Sequence, residues 1–98
     1  MKIVINNKSK NEEIISFDNL DIINENIKKI SSIEGNLEVK IFAINETINS
    51  HQLSKIKNNF DRVKISNLRI YSNDRDTILS GKSLKVDSTF LREQDVKN

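Results

Sequence analysis

Residues 17–45 read FDNLDIINENIKKISSIEGNLEVKIFAIN, and two different periods meet inside them. In the first half Leu20, Ile23, Ile27 and Ile30 step by three and four, the apolar stripe of an amphipathic helix. In the second half Leu37, Val39, Ile41 and Ala43 alternate with Glu38, Lys40, Phe42 and Ile44, the period of a strand. The far end of that strand is apolar on both faces, as in a strand with neighbours on either side. The stripe predicts a helix over 19–33. Asp18 can cap it, because a carboxylate accepts the free N–H groups of the first turn. Asp21 suits the positive end of the helix dipole, and Lys28 and Lys29 the negative end. Gly35 can adopt the left-handed conformation that closes a helix. A helix feeding a central strand points to an α+β domain.

Upstream, KIVINNK alternates Ile3 and Ile5 against polar residues, and EIISF follows after a polar turn. The pair reads as a β-hairpin. Downstream, ETINSHQLSKIKNNF carries Leu53, Ile56 and Phe60 at helical spacing. Asn49 or Ser50 can cap this helix, with Gln52 placed to complete a capping box on Asn49.

RVKISNLRIYSN, residues 62–73, is a strand with a fault in its phase. Val63 and Ile65 share one parity, while Leu68 and Ile70 share the other. A flat strand would send one pair into water. An extra residue near Ser66-Asn67, a β-bulge, restores the phase. After the turn SNDRD, the stretch TILSGKSLKV reads as a last hairpin, with Gly81-Lys82 at the centre of a type II′ turn.

The predicted order is ββ-α-β-α-β-ββ. It describes a single-domain, two-layer α+β sandwich over residues 1–87, with a mixed sheet and two helices on one face. Residues 88–98 read as a polar tail docked through Phe90 and Leu91.

Composition fits one folded domain. The 98 residues include sixteen Ile, seven Leu, five Val and four Phe, enough apolar side chain for one modest core. Sixteen basic residues face fourteen acidic ones, a formal net charge of +2, so the surface is mixed rather than strongly basic. There is no Cys, which removes disulfides and thiolate chemistry. MKIVINNK lacks the apolar run of a signal peptide, no stretch has the apolar length of a membrane span, and the expected location is the cytoplasm. Fourteen Asn and twelve Lys against one Ala suggest the AT-rich codons of a low-GC bacterium, its phages or its mobile elements.

Several chemistries fail on their own requirements. Gly81-Lys82-Ser83 resembles the end of a phosphate loop, yet the partner glycine would fall at Asp76, where a carboxylate would repel the phosphate. Asn73-Asp74-Arg75-Asp76 lacks the spaced ligands, glycine and distal Glu of a calcium loop. His51 is the one histidine, too few for an ordinary zinc set without Cys. It lies off the apolar stripe of its helix, in the position of a solvent-facing side chain. No nucleophile motif accompanies it. The expectation is a non-enzyme without catalytic residues, metal or cofactor.

The candidate contact surface is the polar face of the bulged strand. With the phase restored, Arg62, Lys64, Arg69 and Tyr71 line up opposite Val63, Ile65, Leu68 and Ile70. Arg and Tyr are favoured at binding hot spots, and Lys82 at the hairpin tip is added as a further contact. The expected partner is a protein, and no membrane is involved. A small chain of this composition suggests a phage or mobile-element inhibitor of a host protein such as a defence nuclease, an anti-CRISPR-like role. Two alternatives stand beside it. One is an RNA or single-stranded DNA binder that stacks bases on the same basic face. The other is a homodimeric assembly protein joined through an edge strand or the Phe42/Ile44 side of the sheet.

Overall fold

The chain runs β1 (Lys2–Asn7), β2 (Glu12–Phe17), α1 (Asp21–Ser31), β3 (Leu37–Ala43), α2 (Ser50–Asp61), β4 (Ile65–Ser72), α3 (Arg75–Ser83), β5 (Asp87–Phe90). This is a computed structural model, and it describes residues 1–18, 21–61 and 65–92. The strands form one mixed sheet in the order β2-β1-β3-β4-β5. β1 is antiparallel to both β2 and β3, whereas β3, β4 and β5 are parallel. Parallel neighbours need a crossover, and α2 and α3 supply the two that are required. The predicted α+β class and mixed sheet therefore stand.

The core lies on one face of the sheet. Ile3 and Ile5 of β1, Val39 and Ile41 of β3 and Ile70 of β4 are fully buried there, together with Ile30, Leu53, Ile56 and Phe60 from the helices. Ile30 represents the expected stripe of α1. Leu20 and the side chains of Ile23 and Ile27 lie outside the described residues. In α2 the buried residues are the expected Leu53, Ile56 and Phe60. The capping box also forms: Gln52 N–H donates to Asn49 Oδ1 at 2.9 Å, and Asn49 N–H donates to Gln52 Oε1 at 3.1 Å. His51 is exposed in the first turn.

The bulge in β4 falls where the phase fault placed it. Leu37 pairs with Ile65, but Glu38 pairs with Asn67, leaving Ser66 as the extra residue. Ser66 Oγ donates to Leu37 O at 2.8 Å. Ile65, Leu68 and Ile70 consequently all reach the core. Val63 lies outside the described residues.

The last predicted hairpin is replaced by a helix and a strand. Asp74 caps α3, accepting Thr77 N–H at 2.9 Å and the Thr77 hydroxyl at 2.8 Å. Asp76 in the first turn and Lys82 in the last suit the helix dipole. The inward face of α3 is Thr77, Ile78 and Gly81, two of which carry little apolar signal. Gly81 is a packing residue and not a turn residue. A β-carbon there would collide with Ser88 Oγ and come within 3.2 Å of Ile70 Cδ1. Helix α3 thus lies close on β4 and β5, on the same side as the core. The sandwich has three helices on that face where two were expected. Ser88, Thr89 and Phe90 complete β5 rather than opening a polar tail. Leu91 N–H donates to Ser72 O at 2.8 Å, and Phe90 is 45% exposed.

Gly35 does take a positive φ, +129°, in the loop before β3. Its role is close approach to the first hairpin, since a β-carbon would stand 2.5 Å from Asn7 Nδ2. Asn7 is buried and donates from Nδ2 to Glu34 O at 3.0 Å. It joins the hairpin to the strand that leaves α1.

Candidate functional site

All three helices lie on the core face, so no helix among the described residues covers the opposite face of the sheet. Strand pairing assembles that open face from residues far apart in sequence. One row runs Lys2, Phe42, Tyr71, Thr89, and the next runs Val4, Lys40, Arg69, Asp87. A third row holds Asn6, Glu38 and Asn67. Successive side chains of a strand point to opposite faces, and this fixes which members of each strand look outward.

Phe42 and Tyr71 occupy the middle of the face. Their rings stack with centroids 5.1 Å apart and planes 14° from parallel. Arg69 is exposed beside them. Like any arginine it is a permanent cation, and a hydrogen bond to Tyr71, with Glu38 and Asp87 adding charge, raises its pKa further. Lys2 is exposed in the row of the aromatic pair, and Lys40 is half-buried in the row of Arg69.

Glu38 is the buried charge of the face, with only 4% of its surface exposed. Lys8 Nζ approaches its carboxylate to 2.8 Å and Lys40 Nζ to 3.6 Å. The hydrogen bond from Lys8 outweighs the desolvation and holds the Glu38 pKa below the ordinary glutamate value. Burying a carboxylate is costly unless it is paired in this way. The network pins the loop after β1 to the central strand.

Of the predicted contact residues, Arg69 and Tyr71 stand together on the open face. Arg62 and Lys64 lie outside the described residues. Lys82 is exposed in the last turn of α3, in the helix layer on the other side of the sheet. It belongs to no hairpin tip and does not join Arg69. The sequence reading grouped Phe42 with Glu38 and Lys40 on β3, and Arg69 with Tyr71 on β4. It did not join the two groups, because the parallel register between β3 and β4 is invisible in either strand alone.

The face carries Asp87 in the row of Lys40 and Arg69, and Glu38 in the row next to it. It is mixed in charge, unlike the continuous basic track that holds a nucleic-acid backbone. Among the described residues no cluster of three His, Cys, Asp or Glu is placed to hold a metal ion. No helix among them is long and apolar enough to cross a membrane.

No protein-family model and no solved structure matches the chain. Over 85 residues, 85% of its length, the chain is 42% identical to a probable septum site-determining protein, MinC, of Prochlorococcus marinus subsp. pastoris. It spans 38% of that relative's length. The similarity overturns the expectation of a phage or mobile-element inhibitor of a host defence protein, because the similar protein is a bacterial one concerned with septum sites. It lends no support to the nucleic-acid or homodimer alternatives. Along most of its length this chain is similar to part of a septum site-determining protein.

Proposed function

We propose that this chain is a cytoplasmic, non-enzymatic module that takes part in choosing the site of the division septum by holding a protein partner on the open face of its sheet. The observation that carries the contact surface is the Phe42–Tyr71 stack flanked by Lys2, Lys40 and Arg69, on a face that no described helix covers. The similarity to a septum site-determining protein supplies the process.

The face suits a partner that offers a flat apolar surface to the two rings and carboxylates to the cations. Tyr and Arg contribute strongly to binding when a partner desolvates them. The ring pair is already stacked in the free chain, so little side-chain entropy is lost on contact. Exposed charges at the rim steer encounter and are screened by salt over about 10 Å.

The test is to produce the chain in a rod-shaped bacterium and map septum positions with a membrane dye. The intact chain is expected to change where septa form. Arg69→Glu combined with Lys2→Glu is expected to abolish the effect while the purified variant keeps the circular dichroism of the original. A folded double variant that still redistributes septa would rule out the face as the contact. An intact chain without effect on septa would rule out the process.

A further inference from the structure

We infer that the opposed pair Lys40 and Arg69 is a docking point for one carboxylate, supplied by an acidic side chain of a partner protein with an apolar residue beside it. The inference rests on the reading of the open face as the contact surface, and adds the kind of segment that face takes.

Lys40 and Arg69 are direct partners in the parallel register of β3 and β4. Both point to the open face, so two like charges stand on neighbouring strands about 5 Å apart. Charges opposed in this way repel, and an anion between them removes the repulsion. Two anions lie close by, and both are engaged or peripheral. Glu38 is paired with Lys8 at 2.8 Å, while Lys40 stays 3.6 Å from it, too far for a hydrogen bond. Asp87 faces Arg69 across the β4–β5 pair, on the edge strand. Glu13 is exposed on β2, with β1 between it and β3. The cluster of Lys8, Lys40 and Arg69 with Glu38 and Asp87 is therefore short of one negative charge.

The pair is open to a ligand. The Lys40 side chain is 35% exposed, and Arg69 is exposed. A guanidinium presents parallel N–H groups that match the two oxygens of a carboxylate, and an ammonium adds a compact charge. Phe42 and Tyr71 are also direct partners, two residues further along the same strands and on the same face, about 7 Å away. In an extended segment, residues two apart are separated by the same distance. An acidic residue seated on Lys40 and Arg69 thus brings the residue two positions along over the stacked rings, and that residue is apolar.

A second copy is a poor source of this pair. Among the described residues the exposed large apolar side chains are Leu79 and Phe90. Asp87 and Phe90 differ in parity along β5, so they face opposite sides of the sheet. Leu79 has Asp76 one turn before it on α3, but Arg75 and Lys82 are exposed on the same helix. Helix α3 of another copy would bring two cations with its one carboxylate toward Lys40 and Arg69. The occupant is a foreign segment whose acidic residue has no basic neighbours.

The experiment titrates the isotopically labelled full chain with the peptide acetyl-Ser-Asp-Thr-Leu-Ser-amide and with its Asn counterpart. Shift changes with the Asp peptide should concentrate at Lys40, Phe42, Arg69 and Tyr71. Lys40→Gln and Arg69→Gln should each weaken it by roughly two- to fivefold, the size of one exposed charge contact, and leave the Asn peptide unchanged. Equal affinity for the two peptides, shift changes centred elsewhere, or no binding at millimolar peptide would overturn the proposal. So would shifts at Phe42 and Arg69 that grow with chain concentration alone and vanish in Asp76→Asn, because a second copy would then supply the carboxylate. A chain that redistributes septa without distinguishing the peptides loses this inference and keeps the open face as a contact. One that distinguishes them without affecting septa keeps the inference and loses the process.

Discussion

Thr77 is fully buried, and its hydroxyl is used twice. It accepts Ile48 N–H at 2.8 Å and donates to Asp74 Oδ2 at 2.8 Å. One side chain thereby ties the loop before α2 to the cap of α3. Thr77→Val keeps the shape but leaves the Ile48 N–H buried without an acceptor. Urea unfolding should show a loss of about 1–3 kcal/mol, and Thr77→Ser should recover most of it. Glu38 makes a different kind of statement. Its pKa in the folded chain is lowered, chiefly by the hydrogen bond from Lys8. The stabilisation is therefore fully present above the ordinary glutamate value near about 4.3. It is lost as pH falls through the lower folded value. Thermal unfolding followed from pH 7 downward should steepen in that acid range, and Glu38→Gln should flatten the slope. Neither role can be read from the sequence. Thr77 stands beside Ile78 in a stretch that also alternates, and Glu38 looks like any outward-facing charge until Lys8 and Lys40 are brought to it.

At the scale of elements, the features written within a few neighbouring residues were legible. The capping box of α2 depends on Asn49 and Gln52 alone, and its geometry is local. Asn49→Ala should cost about 1 kcal/mol by chemical denaturation. The bulge in β4 was legible for a similar reason. Burial of Ile65, Leu68 and Ile70 on one face admits only a strand with an extra residue. Helix α3 was not legible, because the stripe it buries is Thr77, Ile78 and Gly81. Hydrophobic periodicity scores a threonine and a glycine as breaks in a stripe, although here both face the sheet. Gly81 shows what that packing demands. A larger residue gains helix propensity, about 1 kcal/mol for alanine, but meets Ser88 and Ile70. Gly81→Val should lower stability by about 2–3 kcal/mol, in the range of overpacked cores. Adding Ser88→Ala should restore part of the loss, as a double-mutant comparison of unfolding midpoints would show.

For the whole molecule, the core and the proposed contact surface lie on the two faces of one sheet. The core face holds Ile3, Ile5, Val39, Ile41 and Ile70 against three helices, whereas Arg69 and Lys2 stand exposed on the other. Arg69→Gln should therefore change the unfolding midpoint little, since exposed ion pairs contribute little, while it removes a cation from the open face. Tyr71→Ala removes the stack on Phe42 as well, and should lower stability by about 1 kcal/mol. Differential scanning calorimetry on the two variants separates these roles. The sequence by itself determined the α+β class, the first hairpin, α2 with its cap, and the bulged strand. Each of these is specified by period, capping or parity among near neighbours. Only the tertiary structure decided that residues 75–83 are a helix, that β5 is parallel to β4, and that Phe42 meets Tyr71. Those outcomes depend on which strands lie side by side and how closely a helix approaches them. The free energy that fixes them is shared among residues distant in the chain, so no single stretch of sequence carries it.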